Sequence, residues 1–320
     1  MRKTFCCAFF FGLVCCAFAQ AQDFPARPLR LLLGFAPSGS NDIMARAFAE
    51  QLQKQLGVSV VVDNRPGAGG ALAYATAANA APDGYTLLFI SPSFVTASVI
   101  YKNLPFDPAK AFAPVTLIAN GPANVLVVFP SFPAKTLQEL ISAARSRPLT
   151  YGSPGVGAVQ HFTAELFNLK SGVKLSHIPY KGQAPALTAL MSNDVNIVFL
   201  QPPGGIDLIK AGRIRALAFA GSTRWPQLPD VPTVAEAGVP DFQLAGPYEG
   251  VMLPARASAA LVARLDSEIR KTLEAPQLRN ALTLSGWDAD GRGPVEFSNL
   301  LTAEMKRYSD IARQAGITAQ

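Results

Sequence analysis

The sequence predicts an α/β protein made of two lobes, each a mostly parallel sheet flanked by helices. The chain has 320 residues, which exceeds the usual size of one domain and favours two units of roughly 150 residues each. Strand and helix patterns alternate along nearly the whole chain, which is typical of α/β units. Gly/Ser-rich loops follow apolar strands at corresponding places in both halves, so the two halves share one strand, loop and helix plan.

Residues 1–21 are predicted to form a cleavable export signal. Two basic residues near the start precede an apolar stretch over residues 4–17, and small residues provide a cleavage site after Ala19 or Ala21. An uncleaved membrane anchor fits less well, because the stretch is shorter than the ~20 residues of a spanning helix and polar residues follow directly. We therefore expect an exported protein.

All the cysteines of the chain lie inside this signal segment. They are Cys6, Cys7, Cys15 and Cys16. The mature chain is therefore expected to form no disulfide and no thiolate metal site, and to use no cysteine nucleophile. Removing two of the 28 basic residues lowers the formal charge from +6 to +4 against 22 acidic residues. This excess is spread along the chain without a basic run, so nucleic acid is not an expected partner.

The first half begins with a buried strand and an amphipathic helix. Residues 29–35 form a near-continuous apolar run, as expected of a strand covered on both faces. The next helix starts at Ser40 or Asn41, repeats apolar residues every four positions and stops before Gly57. The elements that follow are predicted as strand 58–62, helix 70–80, strand 85–90 and strand 112–119, with turns rich in Gly, Pro, Asn and Asp between them.

The second half is predicted to start a new lobe with a strand at residues 124–129. Thr136 and Glu139 then have the spacing of a capping box at a helix start. In order, we expect helix 136–145, strand 149–152, helix 159–168, strand 175–178, helix 184–191, strand 196–200, helix 206–211, strand 216–220, and tail helices near 258–273, 276–285 and 295–314. The predicted domains are 22–122 for the first part of lobe one, 123–224 for lobe two, and 225–320 for a Pro-rich return to lobe one with C-terminal helices.

Two loops between a buried strand and a helix N-terminus are the predicted ligand site. Such loops present free backbone N–H groups and the positive end of a helix dipole, and their small residues allow close approach by an anion. Either loop alone could simply turn the chain, but their corresponding positions favour binding. The candidate residues are Phe35, Ala36, Ser38, Gly39, Ser40 and Asn41 in the first loop, and Ser153, Gly155, Val156, Gly157, Ala158 and His161 in the second. Neither loop completes a P-loop or a G-x-G-x-x-G motif, so a nucleotide is not expected.

Further polar residues follow other apolar strands and could reach the same cleft. Ser91, Tyr180 and Gln201 are candidate ligand contacts, and Lys181 is either a ligand contact or a solvated surface charge. His161 could donate to a ligand carboxylate or pack beside the second loop, whereas His177 is expected to be an inert, hydrogen-bonded side chain. The chain has no H-E-x-x-H or G-x-S-x-G motif, and we expect no metal, no cofactor and no catalysis.

Short motifs in a fixed order span nearly the whole mature chain. They occupy residues 35–37 with Gly39 and Asp42, 63–70, 82–88, 104–108, 151–155 with His161, 179–182, and 230–233 with 236–238. In this order they resemble the extracytoplasmic receptors of tripartite tricarboxylate transporters, of the Bug or TctC type. Some positions depart from the family pattern: Ser38 stands for a usual glycine, Gly34 for a common proline and Tyr248 for a frequent tryptophan, and residues 156–159 only loosely follow the usual Gly-Thr or Gly-Ser continuation. These departures leave the ligand's identity open.

The resemblance implies a periplasmic "Venus flytrap", the two-lobed fold of periplasmic binding proteins. Receptors of this type close on a small carboxylate, hold it between the first and second loops through main-chain N–H groups and bridging waters, and deliver it to membrane permease subunits. We expect a monomer. One alternative is a sensory adaptor that presents its closed form to a membrane-bound signalling protein, and another is an exported hydrolase that uses Ser153 and His161.

Overall fold

The computed structural model describes residues 24–37, 40–202, 205–242, 244, 246–284 and 286–318. The predicted export signal and the candidate residues Ser38 and Gly39 lie outside these ranges, and of Ser40 only the backbone is described. No helix in the described ranges is both long and apolar enough to span a membrane.

Strands and helices alternate through most of the chain. The strands are β1 (Leu29–Leu33), β2 (Val60–Asn64), β3 (Thr86–Ile90), β4 (Phe112–Asn120), β5 (Val125–Val128), β6 (Leu149–Ser153), β7 (Leu175–Pro179), β8 (Ile197–Leu200), β9 (Arg215–Phe219), β10 (Tyr248–Pro254) and β11 (Asp288–Ala289). The helices are α1 (Ser40–Leu56), α2 (Ala71–Ala78), α3 (Ser93–Ile100), α4 (Leu137–Ser146), α5 (Val159–Ser171), α6 (Gln183–Met191), α7 (Ile206–Lys210), α8 (Ala259–Leu273), α9 (Pro276–Leu284) and α10 (Pro294–Ala315).

The first sheet has the strand order β11-β4-β10-β3-β1-β2. Strand β1 runs parallel to β2 and β3, whereas β10 runs antiparallel to both β3 and β4. The side chains of Leu31, Leu32 and Leu33 are fully buried, because helices cover both faces of this sheet.

The second sheet has the strand order β7-β6-β8-β5-β9. Strand β6 runs parallel to β7 and β8, and β5 runs antiparallel to β8 and β9. The predicted N-cap begins α4, since the Thr136 hydroxyl accepts a hydrogen bond from the Glu139 N–H. The Glu139 carboxylate accepts a bond from the N–H of Lys135, one residue before the N–H that a capping box uses.

The chain crosses twice between the two sheets, and the crossing segments touch. Gly121 follows β4 and donates its N–H to the carbonyl oxygen of Pro247 at 2.7 Å. Residues after β9 still pack on the second sheet, since Thr233 bridges Phe219 and the Phe242 ring lies 6.5 Å from that of Phe167. We therefore propose that the second crossing lies near Pro247 rather than at the predicted boundary between residues 224 and 225.

The C-terminal helix α10 contacts helices from both halves of the molecule. Phe297 packs beneath Gly250 of β10, and a Cβ at that glycine would collide with the phenyl ring. Farther along α10, the ring of Tyr308 meets that of Phe162 in α5 edge-on at 5.0 Å. Helix α10 thus lies against both lobes beside the crossings.

The predicted α/β class is confirmed, but the sheets are mixed rather than mostly parallel. In the first sheet the difference arises mainly from β10, a strand that the sequence analysis did not predict and that enters antiparallel between β3 and β4. In the second sheet it arises from β5, which runs antiparallel to β8 and β9. Helix α3 was also not predicted. Its eight residues include no charged side chain, and most of them are buried. The sequence therefore lacks the alternation of apolar and polar residues by which an amphipathic helix is recognised.

Candidate functional site

A cleft of about 450 Å³ lies between residues of the two lobes. The first lobe contributes Phe35, Asn41, Gly69, Ser91, Pro92, Ser93, Thr96, Ala97, Ile100, Tyr101, Pro247 and Glu249. The second lobe contributes Asn124, Pro154, Gly155, Val156, Gly157, Ala158, Val159, Gln160, Gly182, Gln183 and Gln201. The described lining is polar and apolar in patches, and it includes no lysine, arginine or histidine.

Four helices begin at this cleft. Their first-turn residues Asn41 of α1, Ser93 of α3, Val159 of α5 and Gln183 of α6 all line it. The first turn of a helix leaves backbone N–H groups without partners inside the helix, and the helix dipole places partial positive charge there. The cleft is therefore electropositive although its described lining has no cationic side chain.

The second loop is shaped by glycines that adopt positive φ. Gly155 has a φ of 144° and Gly157 a φ of 81°, conformations that residues with a Cβ rarely adopt. The Ser153 hydroxyl accepts a hydrogen bond from the Gly155 N–H at 3.1 Å, and His161 Nδ1 accepts one from the Gly157 N–H at 3.1 Å. Ser153 and His161 thus fix the backbone of the loop from behind.

Two histidines stack behind the second loop. The rings of His161 and His177 lie 4.0 Å apart, and Tyr151 stacks on His177 at 4.9 Å. Burial lowers the pKa of His161 to about 3, with a further contribution from His177, and burial lowers the pKa of His177 to about 4. Both rings are therefore neutral at physiological pH. His177 Nε2 also shares a 2.6 Å hydrogen bond with the Ser153 hydroxyl.

The first loop is supported by the segment that follows β2. Asn64 donates its side-chain amide to the Phe35 carbonyl oxygen at 3.0 Å and to Asp42 Oδ1 at 2.8 Å. Gly34 packs directly on Gly70, where a Cβ on Gly34 would lie 2.7 Å from the Gly70 Cα. This contact explains why residue 34 is a glycine, because a side chain there would push the two segments apart.

The structure brings together part of the predicted site. The predicted residues that line the cleft are Phe35, Asn41, Ser91, Gly155, Val156, Gly157, Ala158 and Gln201. Four others lie outside the lining: Ala36 is exposed, Ser153 and His161 are buried behind the second loop, and Tyr180 packs against Gly152. His161 accordingly takes the loop-packing role, one of its two predicted alternatives. Lys181 is an exposed surface charge.

Several cleft residues were not predicted as ligand contacts. Gln183 bonds to the main chain of Gln201 in both directions, at 2.9 and 3.2 Å, and Gln160 Nε2 lies 3.5 Å from Gln201 Oε1. Gln160 and Gln183 both occupy the first turn of a helix that follows a glycine-rich loop, which is the signal that could have identified them. The sequence offered no comparable signal for Asn124, Ser93 and Thr96, because only the tertiary fold brings their segments to the cleft.

Glu249 is the acidic residue in the described lining of the cleft. Its side chain is 1 % exposed, and Asn41 Nδ2 donates to its Oε1 at 2.6 Å. Burial raises the pKa of Glu249 well above its ordinary value, and the Asn41 hydrogen bond opposes this effect only in part. An acidic residue inside a buried central strand breaks the local pattern, which is typical of functional sites.

Comparison with known proteins assigns this arrangement to a family. The model of the tripartite tricarboxylate transporter family receptor, TctC, matches residues 44–317. The chain belongs to this family. It is 33% identical over 301 residues to protein BugT of Bordetella pertussis, covering 93% of this chain and 92% of that protein. The family resemblance drawn from the motifs is thereby confirmed.

Solved structures of related receptors share the fold over nearly their whole length. R. palustris Rpa4515 with adipate has a TM-score of 0.83 at 35% identity, covering 92% of this chain and 99% of that one. MatC from Rhodopseudomonas palustris with bound malate has a TM-score of 0.79 at 32% identity, covering 90% and 99%. An alkanesulfonate-binding protein, SsuA from Xanthomonas axonopodis pv. citri, shares the fold alone, with a TM-score of 0.55 at 13% identity.

These matches make the chain a solute-binding receptor of a family of periplasmic receptors, which is not a family of enzymes. The position of Ser153 agrees with this assignment. Its side chain is fully buried, and its hydroxyl is hydrogen-bonded to His177 and to the Gly155 backbone. Because Ser153 is not among the described residues that line the cleft, and its hydroxyl is already bonded to the Gly155 backbone, the geometry does not support a hydrolase that uses Ser153.

Proposed function

We propose that this receptor captures a small carboxylate-bearing metabolite in the cleft between its lobes and delivers it to the permease subunits of a tripartite tricarboxylate-type transporter. The observation that carries the proposal is the convergence of four helix N-termini on a cleft whose described lining has no cationic side chain. Each N-terminus carries about half of a positive charge, and its N–H groups point at the bound anion.

The size and composition of the cleft suit a small metabolite. A volume of about 450 Å³ is typical of pockets that enclose one small molecule. Apolar residues such as Phe35, Ile100 and Val156 would contact the carbon chain, and the amides of Gln160 and Gln183 would orient polar groups. The related receptors with adipate and with malate support a dicarboxylate as the first ligand to test.

Closure of the lobes would remove the bound carboxylate from water. The two crossing segments meet at Gly121 and Pro247, and a rotation there would change the width of the cleft. Gly246 packs against Gly121 so closely that a Cβ would collide with its carbonyl oxygen. In the closed site the backbone N–H groups act in a low dielectric, where their attraction for an anion is stronger.

The experiment is a calorimetric titration of the mature chain with adipate, malate and citrate, with adipamide as a neutral control of similar shape. We expect at least one of the acids to bind, and adipamide to bind at least about tenfold more weakly than adipate. Failure of all three acids to bind would contradict the proposal, and equal binding of adipate and adipamide would contradict the electrostatic basis. Detection of the mature protein in the periplasm, beginning after Ala19 or Ala21, would test the predicted export.

A pair of variants at the start of α5 tests the helix-terminus mechanism itself. Ala158 is the N-cap of α5, has extended φ and ψ of −64° and 152°, and makes no side-chain capping bond. Both Ala158→Asp and Ala158→Asn can cap the helix, which stabilises it by about 1 kcal/mol. Only aspartate adds a negative charge, so we expect Ala158→Asp to bind the acid at least about tenfold more weakly than Ala158→Asn. Equal affinities of the two variants would show that the acid does not bind at this helix end.

A further inference from the structure

Glu249 lies in the cleft with half of its hydrogen-bonding capacity unused. Asn41 occupies Oε1, but Oε2 is buried and has no hydrogen-bond partner within the described part of the chain. Polar atoms buried without a partner are rare in folded proteins, and each one calls for an explanation such as a ligand. Glu249 lines the cleft, and the hydroxyls of Tyr74 and Tyr248, which interact with it electrostatically, are also buried without a partner in the described part of the chain. This end of the cleft therefore holds polar groups that a ligand oxygen can pair.

The ionisable groups around Glu249 are tyrosines and a second glutamate. Tyr74 of α2 and Tyr248, the preceding residue of β10, interact with it electrostatically, and Glu304 and Tyr308 of α10 lie beyond Tyr248. The cation of this neighbourhood, Arg307, forms its ion pair with Glu304 at 3.0 Å. Among the described residues these groups give Glu249 no counter-charge, and burial raises its pKa, which favours the protonated carboxyl group.

The direction of the Asn41 hydrogen bond identifies which oxygen carries the proton. Because the Asn41 amide donates to Oε1, Oε1 is the carbonyl oxygen and the proton resides on Oε2. The unpartnered donor of Glu249 is therefore the Oε2 hydroxyl, on a side chain that lines the cleft beside Asn41 at the start of α1.

We propose that Glu249 determines ligand specificity by donating a hydrogen bond from Oε2 to an oxygen of the ligand. This inference rests on the proposed function and adds the substrate class: acids with a second acceptor oxygen, from a carboxylate, keto or hydroxyl group, near the α1 end of the cleft. Acids with a methyl group at that position leave the Glu249 donor unpaired and bind more weakly. An ionised Glu249 that pairs with a ligand ammonium group is the opposing possibility, and the test separates the two.

The experiment measures calorimetric affinities for adipate, hexanoate and 6-aminohexanoate, which differ only at one end of a six-carbon chain. Wild type is expected to bind adipate about tenfold or more tightly than the other two. Adipate binding should release no proton, so its enthalpy is independent of the buffer. Preference for 6-aminohexanoate with release of a proton would overturn the inference in favour of an ionised Glu249.

Two variants assign the effect to this side chain. Glu249→Gln keeps a donor of the same shape and should bind adipate within about threefold of wild type. Glu249→Met removes the donor, so it should lower adipate affinity about tenfold and abolish most of the preference for adipate over hexanoate. Equal adipate affinity in wild type and Glu249→Met, or an equal loss in both variants with intact thermal melting, would overturn the inference.

The same data distinguish this inference from the proposed function. If wild type binds adipate and hexanoate equally, the receptor still captures carboxylates, but Glu249 does not select among them. If adipate, malate, citrate and hexanoate all fail to bind, the proposed function itself fails and the inference falls with it.

Discussion

Replacing His177 with glutamine should make the free energy of unfolding less sensitive to acid, because His177 accounts for part of the stability lost at low pH. The His177 ring stacks on the rings of both His161 and Tyr151, and burial lowers its pKa to about 4 from an ordinary value of 6.5. Below pH 6.5 the unfolded chain binds a proton at this residue and the folded chain does not. Stability is therefore lost as the pH falls from 6.5 toward 4, and it is fully present above 6.5.

The size of the effect follows from the interval between the unfolded pKa and the pH of the assay. At about pH 5 the interval is about one and a half pH units, and each unit corresponds to about 1.36 kcal/mol. His177 therefore lowers the free energy of unfolding at this pH by about 2 kcal/mol. His161, with its pKa near 3, contributes a similar amount that both proteins share. Glu249 and Glu304, whose pKa values are raised by burial, act in the opposite direction and also cancel between the two proteins.

The assay is urea unfolding of wild type and His177→Gln at about pH 7.5 and about pH 5. The glutamine amide can still bond to the Ser153 hydroxyl, so the loop behind the cleft keeps a partner at this position. We expect wild type to lose about 2 kcal/mol more free energy of unfolding than the variant between the two pH values. Parallel losses in the two proteins would refute the assignment of a partly buried, neutral His177.

Two further predictions concern backbone conformation. Gly157→Ala should lower the free energy of unfolding, measured in urea titrations, by more than Gly172→Ala. Both glycines have positive φ, which costs a residue with a Cβ about 1–2 kcal/mol, but only at Gly157 would the new Cβ also collide with Ile100. Equal losses in the two variants would contradict the contact with Ile100. Thr136→Ala should remove the N-cap bond of α4 and destabilise the protein by about 1 kcal/mol, whereas Thr136→Ser should not, as thermal melting can show.

Elements with a clear local pattern could be predicted from the sequence. The start of α1, the N-cap at Thr136 and the glycine-rich second loop depend on residues close together in the chain, and the structure shows each of them. Strand β10 could not be predicted in the same way. Its seven residues are all buried, and it lies antiparallel between β3 and β4 only because the chain returns from the second sheet at that point.

The sequence could predict those site residues whose place in the cleft is determined by the path of the backbone. Loop residues such as Gly155 and Val156 line the cleft because the strand, loop and helix order already places them there. The directions of the side chains in the first turn of α5 could not be predicted in this way. His161 turns inward onto His177, whereas its neighbour Gln160 lines the cleft. Glu249 depends on β10, so its place in the cleft could be known only from the fold.

The most direct test of the account is a crystal structure of the mature chain grown with adipate, or with whichever acid binds most tightly in the titrations. The account predicts a carboxylate of the ligand within about 3 Å of backbone N–H groups at the starts of α1 and α5, with the lobes closed around it. A ligand bound outside the cleft, or a carboxylate held by a lysine or arginine side chain, would contradict it.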